Sequence, residues 1–174
     1  LQQRKLIIYN IPKYTAINFI DGSDNFLITN KSLIENKKKL MFHVQNNWIN
    51  NGLKKAKIIE LDQGQNSIYK KKLFLKGNFL QFQELKIALI DTTYILRETQ
   101  KKLQIDLLIL TKNNQLSLAE LLKKFNPRQI IIDPSNTEYQ NKKLVKEAEK
   151  LKKNCWSVLT DGYYEYQLRG VKSI

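Results

Sequence analysis

The stretch IDLLILTKNNQLSLAELLKKFNPRQIIIDP, residues 105–134, decides how the rest of the chain is read. Ile105 to Leu110 is almost wholly aliphatic, the pattern of a strand buried on both faces. Ser117 and Glu120 then stand three residues apart, the spacing of a capping box, in which each side chain satisfies a free backbone N–H near the other. Leu118, Leu121, Leu122 and Phe125 follow at helical spacing and form the inward face. Pro127 falls just beyond that helix, and Gln129 to Ile132 is a second apolar strand, closed by Asp133-Pro134.

Strand signals dominate the chain before this unit. Lys5 to Ile11 is apolar and β-branched, and Pro12 ends it. Thr15–Ile20 and Asn25–Thr29 flank Asp21-Gly22-Ser23-Asp24 and predict a β-hairpin. From Ser32 to Trp48 the period becomes helical, with Leu33, Ile34, Leu40, Met41, Val44 and Trp48 on one face and Asn50-Asn51-Gly52 as the stop. Lys57 to Leu61 reads as a strand and Asp62 to Ser67 as a polar turn. Ile68–Leu75 and Phe79–Phe82 are strands around Gly77-Asn78. Lys86 to Ile90 is an apolar strand ending at Asp91, and Ile95 to Gln104 is expected to be helical.

After the central unit, Asn141 to Lys153 predicts a lysine-rich amphipathic helix that buries Leu144, Val145, Ala148 and Leu151. Cys155–Leu159 and Tyr163–Leu168 are expected to close the chain as a hairpin around Asp161-Gly162. With no internal repeat and no linker, residues 1–174 read as a single mixed domain of α and β elements.

Composition limits the chemistry. The 174 residues are long enough to bury a real core, and 42% of them are apolar, which excludes disorder as the main state. A single Cys excludes an intramolecular disulfide and a Cys-based zinc site, and a single His excludes a His-rich metal site within the chain. No apolar stretch approaches the roughly 20 residues of a membrane span, and no signal peptide opens the sequence. The chain begins at Leu1 rather than Met, as a segment cut from a longer protein would.

The net charge is +14, from 30 Lys and Arg against 16 Asp and Glu. Such a field attracts polyanions, a nucleic acid or an acidic membrane surface first. A wealth of Lys, Asn and Ile is also what base composition alone produces, and both readings stay open. Arg occurs only at Arg4, Arg97, Arg128 and Arg169. Base reading leans on bidentate arginine, so a lysine-borne charge favours phosphate contact. The clusters Lys37–Lys39, Lys54-Lys55, Lys70–Lys72, Lys123-Lys124 and Lys142-Lys143 are either solvated faces or, if they converge, a phosphate track.

The segment Ile8-Tyr9-Asn10-Ile11-Pro12-Lys13-Tyr14-Thr15-Ala16-Ile17 resembles the strand-turn-strand L-D-V-G-Q-G-D-A of the metallo-β-lactamase-like domain of ComEC competence proteins. Asn25–Thr29 resembles that family's strand ending in L-I-D-x-G, Lys86–Asp91 the strand ending in a metal-binding G-D, and Asp106–Thr111 the strand leading into H-H-G-S. Leu121–Ile132 resembles the helix, proline and strand that follow. Ile131–Asn136, and Cys155 with Asp161-Gly162-Tyr163, are similar to the last segment of ComEC-like proteins from Bacteroidetes. The resemblance covers most of the chain and implies an α+β fold, a reduced and degenerate metallo-β-lactamase-like αββα sandwich. It also implies a soluble extracytoplasmic (periplasmic) module of a multi-span inner-membrane channel that imports single-stranded DNA.

The chemical motifs of that family are missing. The H-x-H-x-D-H loop that holds catalytic ions is expected after the strand Lys57–Leu61, where the chain reads Asp62-Gln63-Gly64-Gln65-Asn66. The H-H-G-S position reads Lys112-Asn113-Asn114-Gln115. Asp91 keeps the carboxylate of the G-D position as a vestige, with Ile90 in place of the glycine, and such a residue is most often just a strand end. Fold-bearing strands without motifs predict a non-catalytic pseudo-enzyme that needs no cofactor. Its partners would be DNA, through phosphate contacts, and the transmembrane channel part of the same parent protein. Lys13, Lys112, Asn113, Asn114, Gln115, Lys70, Lys71 and Lys72 are the candidate DNA-binding residues. The alternatives are a structural or protein-interaction domain with no DNA binding, and a nuclease whose metal site uses unrecognised residues.

Other residues have plainer readings. His43 falls at the margin of the first helix's apolar face, a boundary residue rather than a ligand. Cys155 beside Trp156 reads as a buried thiol, since no second histidine exists to act as its base. Alternation puts Tyr164 and Tyr166 on one face and Tyr163 on the other, as strand formers or as stacking platforms for bases.

Overall fold

The computed structural model describes residues 3–50, 52–61, 66–97 and 99–168. The polar turn at Asp62–Gln65 and Arg169 therefore lie outside the described residues. The fold is mixed α and β with two sheets. One has five strands in the order β12-β1-β2-β3-β4 and the other seven in the order β11-β10-β9-β8-β7-β6-β5.

The first sheet is built from β1 (Arg4–Ile8), β2 (Ala16–Asp21), β3 (Asp24–Thr29) and β4 (Lys57–Glu60), with β12 (Tyr164–Gln167) on the other side of β1. The expected hairpin joins β2 to β3: Asp21 pairs with Asp24, and Gly22 supplies the positive φ of 60° that the two-residue turn needs. The second sheet contains β5 (Asn66–Tyr69), β6 (Leu73–Lys76), β7 (Phe79–Phe82), β8 (Leu85–Ile90), β9 (Leu103–Leu110), β10 (Phe125–Ile132) and β11 (Cys155–Ser157). β8 to β11 run parallel, and β5 to β7 extend the sheet antiparallel.

Alternation decides the layers. Ile17, Phe19, Phe26 and Ile28 of the first sheet meet Phe82, Ile87, Leu89, Leu107 and Ile109 of the second in one core. Phe19 and Phe82 touch edge to face at 5.2 Å, a contact that adds about 0.5–1.5 kcal/mol beyond the area it buries. The opposite face of the first sheet, with Ile7, Ile20 and Leu27, packs against Leu33, Leu40, Val44 and Trp48 of the helical segment. The opposite face of the second sheet, with Ala88, Leu108 and Ile132, packs against α4 (Leu118–Lys124) and α5 (Glu138–Lys150). Helical elements therefore lie outside each of two facing sheets.

Some local expectations change. Ile95–Gln104 forms no helix among its described residues. Its Ile95 is 72% exposed, so no apolar face holds a helix there. Ile68–Leu75 is two strands, because Lys70 and Lys71 take φ of 49° and 54° and turn the chain. The Ser32–Trp48 helix is broken into α1 (Lys31–Glu35), α2 (Lys37–Leu40), a π-helical turn (Met41–Gln45) and α3 (Asn46–Asn50). Asn36 leaves helical geometry and caps α2 by accepting from the Lys39 N–H, and the shift of phase leaves Met41 exposed. Pro127 lies inside β10, at a position where pairing with β11 has not yet begun. The closing strands do not form a hairpin. β11 joins the second sheet and β12 the first, separated by the short α6 (Val158–Asp161). Ser157 caps α6, and the Asp161 carboxylate accepts from the Ser157 N–H, so the corner is held locally. Leu151, expected inside, is 39% exposed at the end of α5.

Candidate functional site

The four parallel strands β8 to β11 finish at one end of the sheet pair, and β2 begins there. Asp91 follows β8, Thr111 to Gln115 follow β9, and Asp133 to Asn136 follow β10. The β1–β2 loop crosses the same end, where the Lys13 N–H donates to the Pro134 carbonyl at 2.8 Å. The structure thus brings together Lys13, Asp91 and Lys112–Gln115 from three separate stretches of sequence.

Asp91 is 7% exposed, and its Oδ1 accepts from the Thr93 N–H and hydroxyl at 3.0 and 2.7 Å. The Lys112 ammonium lies 3.9 Å from the other oxygen, Oδ2. Lys112 and Asn113 both adopt positive φ, 51° and 54°, so the chain turns sharply after β9. The N–H groups of that turn are satisfied internally: Lys112 donates to the Ser135 hydroxyl at 2.8 Å and Asn113 to Asn136 Oδ1 at 2.9 Å. Asn113 Oδ1 accepts from the Thr137 N–H, and Gln115 Nε2 donates back to the Asn113 carbonyl. Asn114 is fully buried and ties the turn to α5, its carbonyl accepting from Gln140 Nε2 at 2.8 Å. What this end offers an anion is therefore side-chain charge, from half-buried Lys112 and exposed Lys13, rather than a nest of free amides.

Sequence reasoning did not single out the group at the centre. Asp133 is fully buried, with Oδ2 accepting from the Thr15 hydroxyl at 2.5 Å and Oδ1 from the Ser135 N–H at 3.0 Å and the Ser135 hydroxyl. Burial pushes its pKa up to about 7, against the opposing pull of those hydrogen bonds and of the Lys112 charge. The signal was present in Asp133-Pro134-Ser135-Asn136, where an aspartate binds the backbone two residues on.

Lys70, Lys71 and Lys72 do not join this end. Lys70 pairs with Asp24, and Lys72 bridges Asp21 at 2.9 Å and Asp24 at 2.6 Å. Asp21 ends β2, and Thr15 immediately precedes it, so the two groups of lysines stand at opposite ends of that strand. Arg4 at 3.0 Å and Gln83 at 2.8 Å complete the shell of Asp21. Burial raises the Asp21 pKa, but its bonds to Lys72 and Arg4 outweigh that and hold the carboxyl below its ordinary range.

The remaining candidates fall into place around the core. His43 is half-buried with the Phe42 ring edge-on at 5.0 Å. Burial, with the nearby Asp161 charge, pushes the Cys155 thiol up to about 12, so it stays protonated at neutral pH. Tyr164 and Tyr166 pack on the core between the sheets, and Tyr163 is exposed on the other face.

Among the described residues, no three of His, Cys, Asp and Glu converge to hold a metal ion. Among them, too, no helix is long and apolar enough to cross a membrane. No curated protein and no solved structure matches the chain. From residue 6 to residue 168, across both sheets and every strand end described above, the chain matches the family model of the ComEC C-terminal domain, and it belongs to that family and so to competence DNA uptake.

Proposed function

We propose that this chain is a metallo-β-lactamase-like αββα module that has exchanged metal chemistry for fixed positive charge. In this reading it handles DNA without cutting it, by holding phosphates at the end where Lys13 and Lys112 stand. The observation that carries the reading is the Lys112 ammonium 3.9 Å from the Asp91 carboxylate. By resemblance, these two positions belong to the metal-binding strand ends. A built-in cation there answers the retained carboxylate, whereas a catalytic ion needs several imidazole or carboxylate donors around it. Lysine and amides do not make that donor set, so the reading includes no hydrolytic step.

The same reading makes the module an extracytoplasmic part of a longer parent protein, acting beside its membrane channel. A structural role without DNA binding is the second reading, favoured by the ion pairs that neutralise Lys70 and Lys72. Fluorescence anisotropy of labelled single- and double-stranded DNA, at low and physiological salt, separates the two. The DNA-handling role predicts binding that weakens linearly in log salt and persists near physiological strength. No binding at low salt sinks that role and leaves the structural one. A purified chain that retains bound metal and degrades DNA would overturn both.

A further inference from the structure

The helical segment on the outer face of the first sheet buries Leu40, Val44 and Trp48, every fourth residue. An α-helix repeats every 3.6 residues, and the wider π-turn at Met41–Gln45 stretches that repeat to four. One row on from the buried one, Lys37, Met41, Gln45 and Ile49 line up, and the next row holds Lys38, Phe42, Asn46 and Asn50. Met41 is 54% exposed, Phe42 69% and Ile49 74%. A lone exposed apolar side chain needs no explanation, but these three share one short helical segment and form a patch.

Charge of one sign frames the patch. Between Glu35 and Glu60 the chain carries Lys37, Lys38, Lys39, Lys54, Lys55 and Lys57 and no carboxylate. Lys39 and Lys57 lie over the Tyr14 and Tyr69 rings, at 5.0 and 4.7 Å. Lys37 and Lys38 open the two rows, and Lys54 and Lys55 follow just past the end of α3. All four are exposed, and among the described residues no carboxylate pairs with them.

We propose that this face docks on an anionic lipid bilayer, with the helical segment lying in the plane of the headgroups. Met41, Phe42 and Ile49 enter the boundary between headgroups and acyl chains, and Lys37, Lys38, Lys54 and Lys55 meet the lipid phosphates. A bilayer surface offers both parts together, apolar depth beneath negative charge. A DNA backbone offers the charge alone and would leave three apolar side chains in water. A second copy of the chain would bring its own lysines against these, like charge against like. The inference is independent of the DNA-handling reading, since Lys13 and Lys112 stand on other elements.

Co-sedimentation with phosphatidylglycerol vesicles, and with phosphatidylcholine vesicles as the uncharged control, reads the docking. Binding is expected to the first, weakening with salt, and not to the second. Phe42→Gln combined with Ile49→Gln, at exposed positions where glutamine suits a helix, is expected to weaken phosphatidylglycerol binding about tenfold or more and to leave DNA binding unchanged. Lys54→Gln combined with Lys55→Gln is expected to weaken it about fivefold per lysine at low salt. Phe42→Trp keeps an aromatic ring, and its added fluorescence is expected to be quenched by phosphatidylglycerol brominated on the acyl chains. No binding to phosphatidylglycerol vesicles at low salt overturns the inference, as does an unquenched Trp at position 42. A double glutamine variant that binds vesicles as tightly as the parent overturns it too, leaving attraction by charge alone. If that variant loses DNA binding as strongly as vesicle binding, the face belongs to DNA instead. A chain that ignores vesicles but dimerises through Phe42 and Ile49 gives the face to a second copy. Vesicle binding with no DNA binding leaves this inference standing and sinks the DNA-handling role.

Discussion

The Lys112 ammonium and the Asp91 carboxylate lie 3.9 Å apart because β8 and β9 are parallel neighbours, with Ile90 paired to Leu110 just before them. The pair sits near the surface, with the lysine side chain 32% exposed. Water screens such a pair, so it contributes no more than about 1 kcal/mol to stability. Its value to a polyanion is different, since each phosphate neutralised releases counterions.

Lys112→Gly isolates these two effects. Glycine accepts the positive φ of 51° without strain, so the turn after β9 is retained. Unfolding free energy in urea is expected to change by less than about 1 kcal/mol. The slope of log affinity for DNA against log salt is expected to fall by about one. An unchanged slope would remove Lys112 from the phosphate surface.

Asp133 predicts an unusual pH dependence. Its folded pKa of about 7 stands above its ordinary value of 3.8, so the folded state binds more protons than the unfolded state between those limits. Stability from this group is complete below pH 4 and is lost as pH rises through 7, on the order of a few kcal/mol in all. Asp133→Asn keeps an acceptor for Ser135, and the Thr15 hydroxyl rotates to accept from the new amide. The variant is expected to be more stable than the parent at pH 8 and to lose the decline between about pH 4 and 7, both read from thermal unfolding. The same decline in both proteins would place its origin elsewhere.

How much of this was legible depended on the range of the interaction. The capping box at Ser117 and Glu120 is present as read, with Ser117 N–H donating to Glu120 Oε2 at 2.8 Å, because its signal lies within four residues. The turns at Gly22 and Gly77 were legible for the same reason. The meeting of Asp91 with Lys112 was anticipated only through family resemblance, since nothing in either segment states which strands become neighbours. The pairing of Lys72 with Asp21 depends on two sheets facing each other, and a run of lysines does not show it. Cys155 and Tyr163 read as partners because both lie in short apolar stretches around Asp161-Gly162. The corner at Ser157 and Asp161 sends them to different sheets instead. Asp133 looked like a strand terminator, because its burial comes from Thr15, more than a hundred residues away in sequence.

Asp21 gives the opposite pH sign. Lys72 and Arg4 hold its carboxyl below the ordinary range, so its contribution is present above the unfolded pKa and is lost as pH falls through the folded one. Asp21→Ala also takes a partner from Arg4 and Gln83 Nε2 and leaves Lys72 paired with Asp24 alone, around a side chain only 1% exposed. A loss of about 1–3 kcal/mol is expected at pH 7, shrinking below pH 4, when urea unfolding is followed across pH. A variant as stable as the parent at pH 7 would show that this end of the sheet pair does not depend on the network.

The two ends of β2 give the sharpest functional test. Six residue steps separate Thr15 from Asp21, about 20 Å at 3.4 Å per residue. At physiological salt charges are screened over about 8 Å, and at 0.01 M over about 30 Å. DNA held at Lys13 therefore senses Lys71, beyond the other end of β2, only when salt is low. Both lysines are exposed and both take positive φ, 76° and 54°, so glycine replaces each without backbone strain. At physiological salt Lys13→Gly is expected to weaken DNA binding and Lys71→Gly to leave it unchanged; at 0.01 M both should weaken it. Equal losses at physiological salt would mean that DNA spans both ends of the sheet pair, and that the phosphate surface is a track along the domain rather than a site at one end.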